Sequence, residues 1–182
     1  MERIIIFGLL TLPVLYLSWR TLFTVNSHGF FRFFSWECIL WLFVSNFKYW
    51  FDDPFCIRQI ISWLLLFISV YLVAAGALLL KREGKPISNR ADKELFQFEK
   101  TSELIDQGIF GYIRHPLYSS LLFLTWGIFL KNVTIVLLFV ALCSSVFLYF
   151  TALSDEKECI KFFGNKYSEY MKRTKRFIPF VI

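Results

Sequence analysis

LYSSLLFLTWGIFLKNVTIVLLFVALCSSVFLYFTAL, residues 117–153, is the stretch whose reading decides the fold. Its one charged residue, Lys131, stands with Asn132 between two apolar runs. The second run, 133–153, is long enough to cross a bilayer as a helix, which takes roughly 20 apolar residues. The first, 117–130, is shorter, about 25 Å with its flanks at 1.5 Å per residue. A tight Lys-Asn turn between two such runs predicts a helical hairpin whose outer ends return to the same side of a membrane.

Three more apolar runs precede the hairpin, at 4–23, 30–49 and 57–80. The third is the clearest, and Arg32, Glu37 and Lys48 blur the second. No small-residue cleavage site follows the first, so it reads as an anchor and not as a signal peptide. Five spans of roughly 20 residues would take about 100 positions. What remains is one polar segment and a tail, each too short for a soluble catalytic domain. The predicted fold is therefore an all-α integral membrane protein with about five transmembrane helices, a C-terminal helical hairpin and a cytoplasmic tail helix. Residues 1–80 form three N-terminal spans. Residues 81–182 form a catalytic region: a cytoplasmic connector, the hairpin at 116–153 and the tail helix at 155–182.

Composition agrees. Of 182 residues, 57% are hydrophobic and 20% aromatic, while only 19% are charged; soluble domains carry about 25% charged residues. Fourteen of the 20 Lys and Arg fall in 81–114 and 157–176. Both stretches flank the hairpin, which makes both cytoplasmic by the positive-inside rule. The loop holding His28 is then also inside, and Asp52-Asp53 outside. A net charge of +6 does not signal nucleic acid, because the basic residues interleave with acids beside membrane spans and no base-recognition motif accompanies them. The four cysteines have neither disulfide nor metal spacing. His28 and His115 are the only histidines, too far apart in sequence for a helical zinc pair, so no metal is expected. No glycine fingerprint, P-loop or nucleophile motif is present.

Two stretches can carry chemistry. The first centres on Arg114-His115-Pro116-Leu117-Tyr118. Proline favours the first helical position and pushes the preceding residue out of helix geometry. His115 is thus predicted to cap a helix beginning at Pro116, with free N–H groups at an interface where an anion could bind. Plain interfacial anchoring accounts for the same residue types. The second stretch is the tail. Glu156, Ile160, Phe163, Tyr167 and Tyr170 fall on one face if the tail is a continuous helix. Glu156 then lies among aromatics, where a carboxylate suits a cation, and Asp155 shares the other face with Lys166 and Glu169. An interfacial amphipathic helix is the plainer alternative.

These motifs resemble those of the isoprenylcysteine carboxyl methyltransferase family. One is Arg114-His115-Pro116-x-Tyr118, preceded by Gly108-x-Phe110-x-Tyr112 and followed by a hairpin containing Gly127. The other is two acids, then Phe163-Gly164-x-x-Tyr167-x-x-Tyr170, then Arg176-Phe177-Ile178-Pro179. The resemblance covers about 104–180. It implies a membrane enzyme that binds S-adenosylmethionine without a Rossmann domain and takes a lipophilic acceptor from the bilayer. It also implies that Arg114, His115, Pro116, Tyr118, Tyr112, Phe163, Tyr167 and Tyr170 cradle the cofactor. In that reading Glu156 faces the cofactor's cation and Arg176 orients the acceptor, most simply the carboxylate of a prenylated cysteine. The active site would lie on the cytoplasmic side of a bacterial inner membrane or the endoplasmic reticulum. Asp155, Cys159 and Ser120 depart from the family pattern of Glu, Leu and Gly. The motifs are shared with phospholipid-amine and small-thiol methyltransferases, and Asp155 with Cys159 resembles the tail of NADPH-dependent sterol reductases. A non-enzymatic membrane assembly protein is the remaining alternative.

Overall fold

The computed structural model describes residues 1–25, 27–84 and 101–181; the part of the connector at 85–100 lies outside the described residues. The described residues form six helices: α1 (Glu2–Leu22), α2 (His28–Asn46), α3 (Ile57–Glu83), α4 (Pro116–Phe129), α5 (Ile135–Phe163) and α6 (Asn165–Arg173). Two single 3₁₀ turns, Phe47–Tyr49 and Gly108–Gly111, complete the regular structure, and no strand occurs among the described residues. Each apolar run of the sequence forms one helix. α1, α3 and α5 are long and apolar enough to cross a membrane, so this is an integral membrane protein. α2 carries Arg32 and Glu37, and α4 has only 14 residues.

Local chemistry sets the helix starts. The Ser27 side chain accepts the Phe30 N–H at 3.1 Å to open α2, and Thr134 accepts that of Leu137 at 3.3 Å to open α5. Pro116 occupies the first position of α4, as predicted, with His115 in a non-helical conformation before it. The His115 ring makes no capping bond to the helix and is directed elsewhere.

The tail departs from the expected layout. α5 does not stop near 153 but runs on to Phe163, because nothing in 154–163 breaks a helix. It ends at Gly164, whose φ of 60° and ψ of −135° suit a residue without a Cβ. The helix expected over 155–182 is therefore two pieces, the end of α5 and the 9-residue α6.

α3 packs along α4, α2 along α5, and α1 against α2. Between lipid-embedded helices close packing and polar contacts replace the hydrophobic drive. Gly127 shows the first: a Cβ there would come within 2.9 Å of Leu66. The second is a buried hydroxyl cluster in which Ser144 meets Ser35 at 3.0 Å and Thr125 at 3.2 Å, joining α2, α4 and α5. At the end that holds the hairpin turn, Arg58 donates to the Leu130 and Lys131 carbonyls. Lys131 is itself fully buried, bonded to Gln59 at 3.0 Å and 3.8 Å from the centre of the Trp63 ring.

Candidate active site

The site lies at the opposite end of the bundle, where α4 begins and α5 ends. After α6 the chain returns along the segment before α4. The Arg114 N–H donates to the Lys175 carbonyl at 2.7 Å, the His115 N–H to Arg176 at 3.2 Å, and the Lys175 N–H to Tyr112 at 3.1 Å. Phe177 is buried against Tyr118, Leu148 and Ala152, which anchors the returning segment. Ser119 secures it further, its hydroxyl lying 2.8 Å from the Phe177 carbonyl and 2.9 Å from that of His115.

This return brings three cations onto two acids. Arg176 reaches Glu156 through Nε at 3.0 Å and Nη2 at 2.7 Å. Arg114 Nε reaches the same carboxylate at 2.9 Å, and its Nη1 donates to the Met171 and Thr174 carbonyls. His115 stands between the acids, with Nδ1 3.3 Å from Asp155 and Nε2 3.4 Å from Glu156. Burial pushes the His115 ring toward neutrality, but the Asp155 and Glu156 carboxylates beside it outweigh this. Its pKa is held above the usual 6.5. The ring also stacks on Tyr118, 5.3 Å between centroids and 22° between planes.

Beside this network is a cavity walled by Arg114, His115, Pro116, Tyr118, Asp155, Cys159, Phe163, Tyr167 and Tyr170, with Leu80, Ile105 and Phe110 among its apolar lining. Phe163 and Tyr167 stack at 6.4 Å and 17°, and Tyr167 meets Tyr170 edge-on at 5.6 Å. The Tyr170 hydroxyl donates to the Phe110 carbonyl at 2.7 Å. Burial pushes both the Tyr167 and Tyr170 phenols well above the usual range, so both present neutral hydroxyls.

Seven of the ten expected site residues line this cavity: Arg114, His115, Pro116, Tyr118, Phe163, Tyr167 and Tyr170. Three do not. Tyr112 is 58% exposed and turned outward against Phe180. Glu156 and Arg176 are spent on each other behind the wall. The acid on the cavity side is Asp155, which reverses the order expected from the spacing. The reason is Gly164. The turn there ends the helix, so the face shared by Glu156 and Ile160 does not continue into Tyr167 and Tyr170. The stripe that meets the cavity is Asp155, Cys159 and Phe163, four residues apart on α5.

Asp155 is surrounded by donors. Its Oδ1 lies 3.7 Å from the Cys159 sulfur, and the Tyr118 hydroxyl bonds it as well. Sequence reasoning passed over two more residues. His28, fully buried at the start of α2, points Nδ1 at Glu158 at a distance of 2.8 Å. One signal was available, the three-residue spacing of Asp155 and Glu158, which puts both acids on neighbouring turns of one face.

Residues 57–166 match the family model described as phospholipid methyltransferase, PEMT. The chain belongs to this family, within the group of membrane methyltransferases that resemble the isoprenylcysteine carboxyl enzymes. It is thus a membrane methyltransferase. The match spans α3 to the start of α6, and so includes Arg114, His115, Tyr118 and Asp155. Comparison with curated proteins and with solved structures gives no match.

Proposed function

We propose that the cavity binds S-adenosylmethionine and that the protein methylates an amine-bearing lipid taken from the bilayer. The observation that carries this reading is the wall itself: one carboxylate, Asp155, beside the stacked Phe163 and Tyr167 rings. A cation gains there from charge and from ring faces, and more than it would in water because the surroundings are apolar. Methyltransferases of such families generally use S-adenosylmethionine, which carries a sulfonium and an ammonium group. When bound, it supplies an electrophilic methyl group on sulfur.

The chain's own residues supply binding and alignment. Asp155 faces the positive part of the cofactor, with His115 and Tyr118 fixing its orientation. Tyr170 and Phe163 exclude water from the reacting centre, which strengthens every charge interaction inside it. Arg114, Arg176 and Glu156 serve as a buckle that ties the returning tail to α4 and α5. We assign the catalytic region to 81–182 and its open end to the cytoplasmic face, on the strength of the basic segments that flank the hairpin.

The family supports a phospholipid amine as acceptor, and so does the state of Arg176. A prenylcysteine carboxylate would need that guanidinium, yet it is engaged by both oxygens of Glu156 and lies over the Tyr149 ring at 5.1 Å. One observation favours the carboxylate as a second reading: the Arg176 side chain is still 17% exposed, so it could be shared.

Two measurements test this. Calorimetry in nanodiscs with S-adenosylhomocysteine should show saturable binding, and its absence sinks the cofactor assignment. Incubation with labelled S-adenosylmethionine and a membrane lipid extract should then label an amine-bearing phospholipid. Label found in prenylcysteine methyl ester instead would overturn the choice of acceptor alone.

A further inference from the structure

Outside the region that matches the family model, α2 contributes one side chain to the acidic end of α5. His28 is the first residue of α2, follows the capping Ser27, and is 0% exposed. Its Nδ1 lies 2.8 Å from Glu158 Oε2. An ionised carboxylate only accepts hydrogen bonds, so Nδ1 is the donor. Asp155 completes the group: one nitrogen or oxygen from each of His28, Asp155 and Glu158 lies within 4.8 Å of those of the other two. Asp155 thus has two imidazoles near it, His115 from the residue before α4 and His28 from α2.

We propose that His28, acting through Glu158, is a positioning residue for Asp155, and that α2 is part of the cofactor site. This inference rests on the reading of the cavity as the S-adenosylmethionine site. Two carboxylates compete at this end of α5. Asp155 and Glu158 sit one turn apart in a half-buried corner with their charges close together, and two like charges there repel each other toward whatever opening is within reach. The opening here is the cavity. A donor fixed on Glu158 keeps that second carboxylate on the α2 side and leaves Asp155 alone on the wall. Without it, Glu158 and Asp155 would compete for His115 and for the bound cation. His28 is well placed to hold this arrangement, because a fully buried ring on a capped helix start has little freedom to move away.

The test is the affinity of the full chain in nanodiscs for S-adenosylhomocysteine, read by calorimetry with unfolding midpoints measured in parallel. His28→Leu fills the space without the donor and should weaken binding by roughly five- to tenfold, the scale of one ordinary hydrogen bond and less than the loss from Asp155→Asn itself. His28→Asn places an amide donor near the Nδ1 position and should restore affinity to within about twofold, a rescue that mere packing would not produce. If His28→Leu does not fold, His28→Ser removes the donor with a smaller polar side chain and should show the same loss, and in either background Glu158→Gln, which removes the competing charge, should restore affinity. Asp155→Asn separates the two layers of the argument. If it binds as wild type, the reading of the cavity fails. If it loses affinity while the His28 variants do not, or if Glu158→Gln fails to restore a weakened His28 variant, the positioning role alone is overturned. Recovery of stoichiometric divalent metal from the purified protein, with affinity lost on chelation, would also overturn it, since His28, Asp155 and Glu158 would then be ligands.

Discussion

Asp155 and Glu156 are neighbours in sequence with opposite assignments, and the difference can be measured. Glu156 holds two arginines, so Glu156→Gln leaves buried cations without their counter-charge. Breaking such a pair costs about 3–5 kcal/mol, and the variant's unfolding midpoint in detergent should fall sharply. Asp155→Asn should lower the midpoint far less, by the loss of its His115 contact alone, and weaken S-adenosylhomocysteine binding by roughly one to two decades. The reverse pattern would return the cofactor role to Glu156. His115 adds a pH dependence. Its pKa in the folded protein lies above 6.5, so the stability of the imidazolium–carboxylate contacts is fully present below about 6.5 and is lost as pH rises through the higher folded value. Melting curves between about pH 6 and 9 should decline for the wild type and flatten for His115→Asn. Equal slopes for the two would show that this ring is not the titrating group.

At the scale of elements, the parts legible in the sequence are those written by local chemistry. Pro116 declares the start of α4 whatever surrounds it, and Lys131-Asn132 declares the hairpin turn. The end of α5 was harder, because Gly164 permits a break without requiring one, and periodicity alone could not say whether the aromatic stripe crossed it. Once the break is known, the choice between Asp155 and Glu156 follows. Its test is Gly164→Ala. No atom would meet the added Cβ within 4 Å, so any penalty comes from the backbone at φ 60°. We expect a cost of about 1–3 kcal/mol, with weaker cofactor binding as α6 shifts its two tyrosines. A neutral result would mean that the chain bends there as readily with a side chain. The roles of Arg176 and His28 were not legible at all. One depends on a segment returning beside residues 112–115, the other on a contact 130 positions apart, and no spacing rule reaches that far.

The whole molecule places its polar chemistry at two ends. Arg58 and Lys131, which sit awkwardly with an outer position by charge, are consumed in tying the hairpin turn to α3, so they are structural cations and not topological signals. Orientation can therefore be read from the other end. In vesicles of known sidedness and a cysteine-free background, Asp53→Cys should react with an impermeant maleimide from outside, and Lys166→Cys only after permeabilisation. The opposite labelling would invert the protein in the membrane. The returning tail carries one more consequence, and it concerns synthesis. Arg114 leaves the ribosome 60 residues before the Thr174 carbonyl that receives it, and Glu156 also waits for Arg176. Until those last residues emerge, the nascent protein holds a membrane-embedded bundle with its active corner unlatched. A chain stalled or clipped short of Thr174 would therefore leave Arg114 without the carbonyl that receives it and Glu156 without its second arginine.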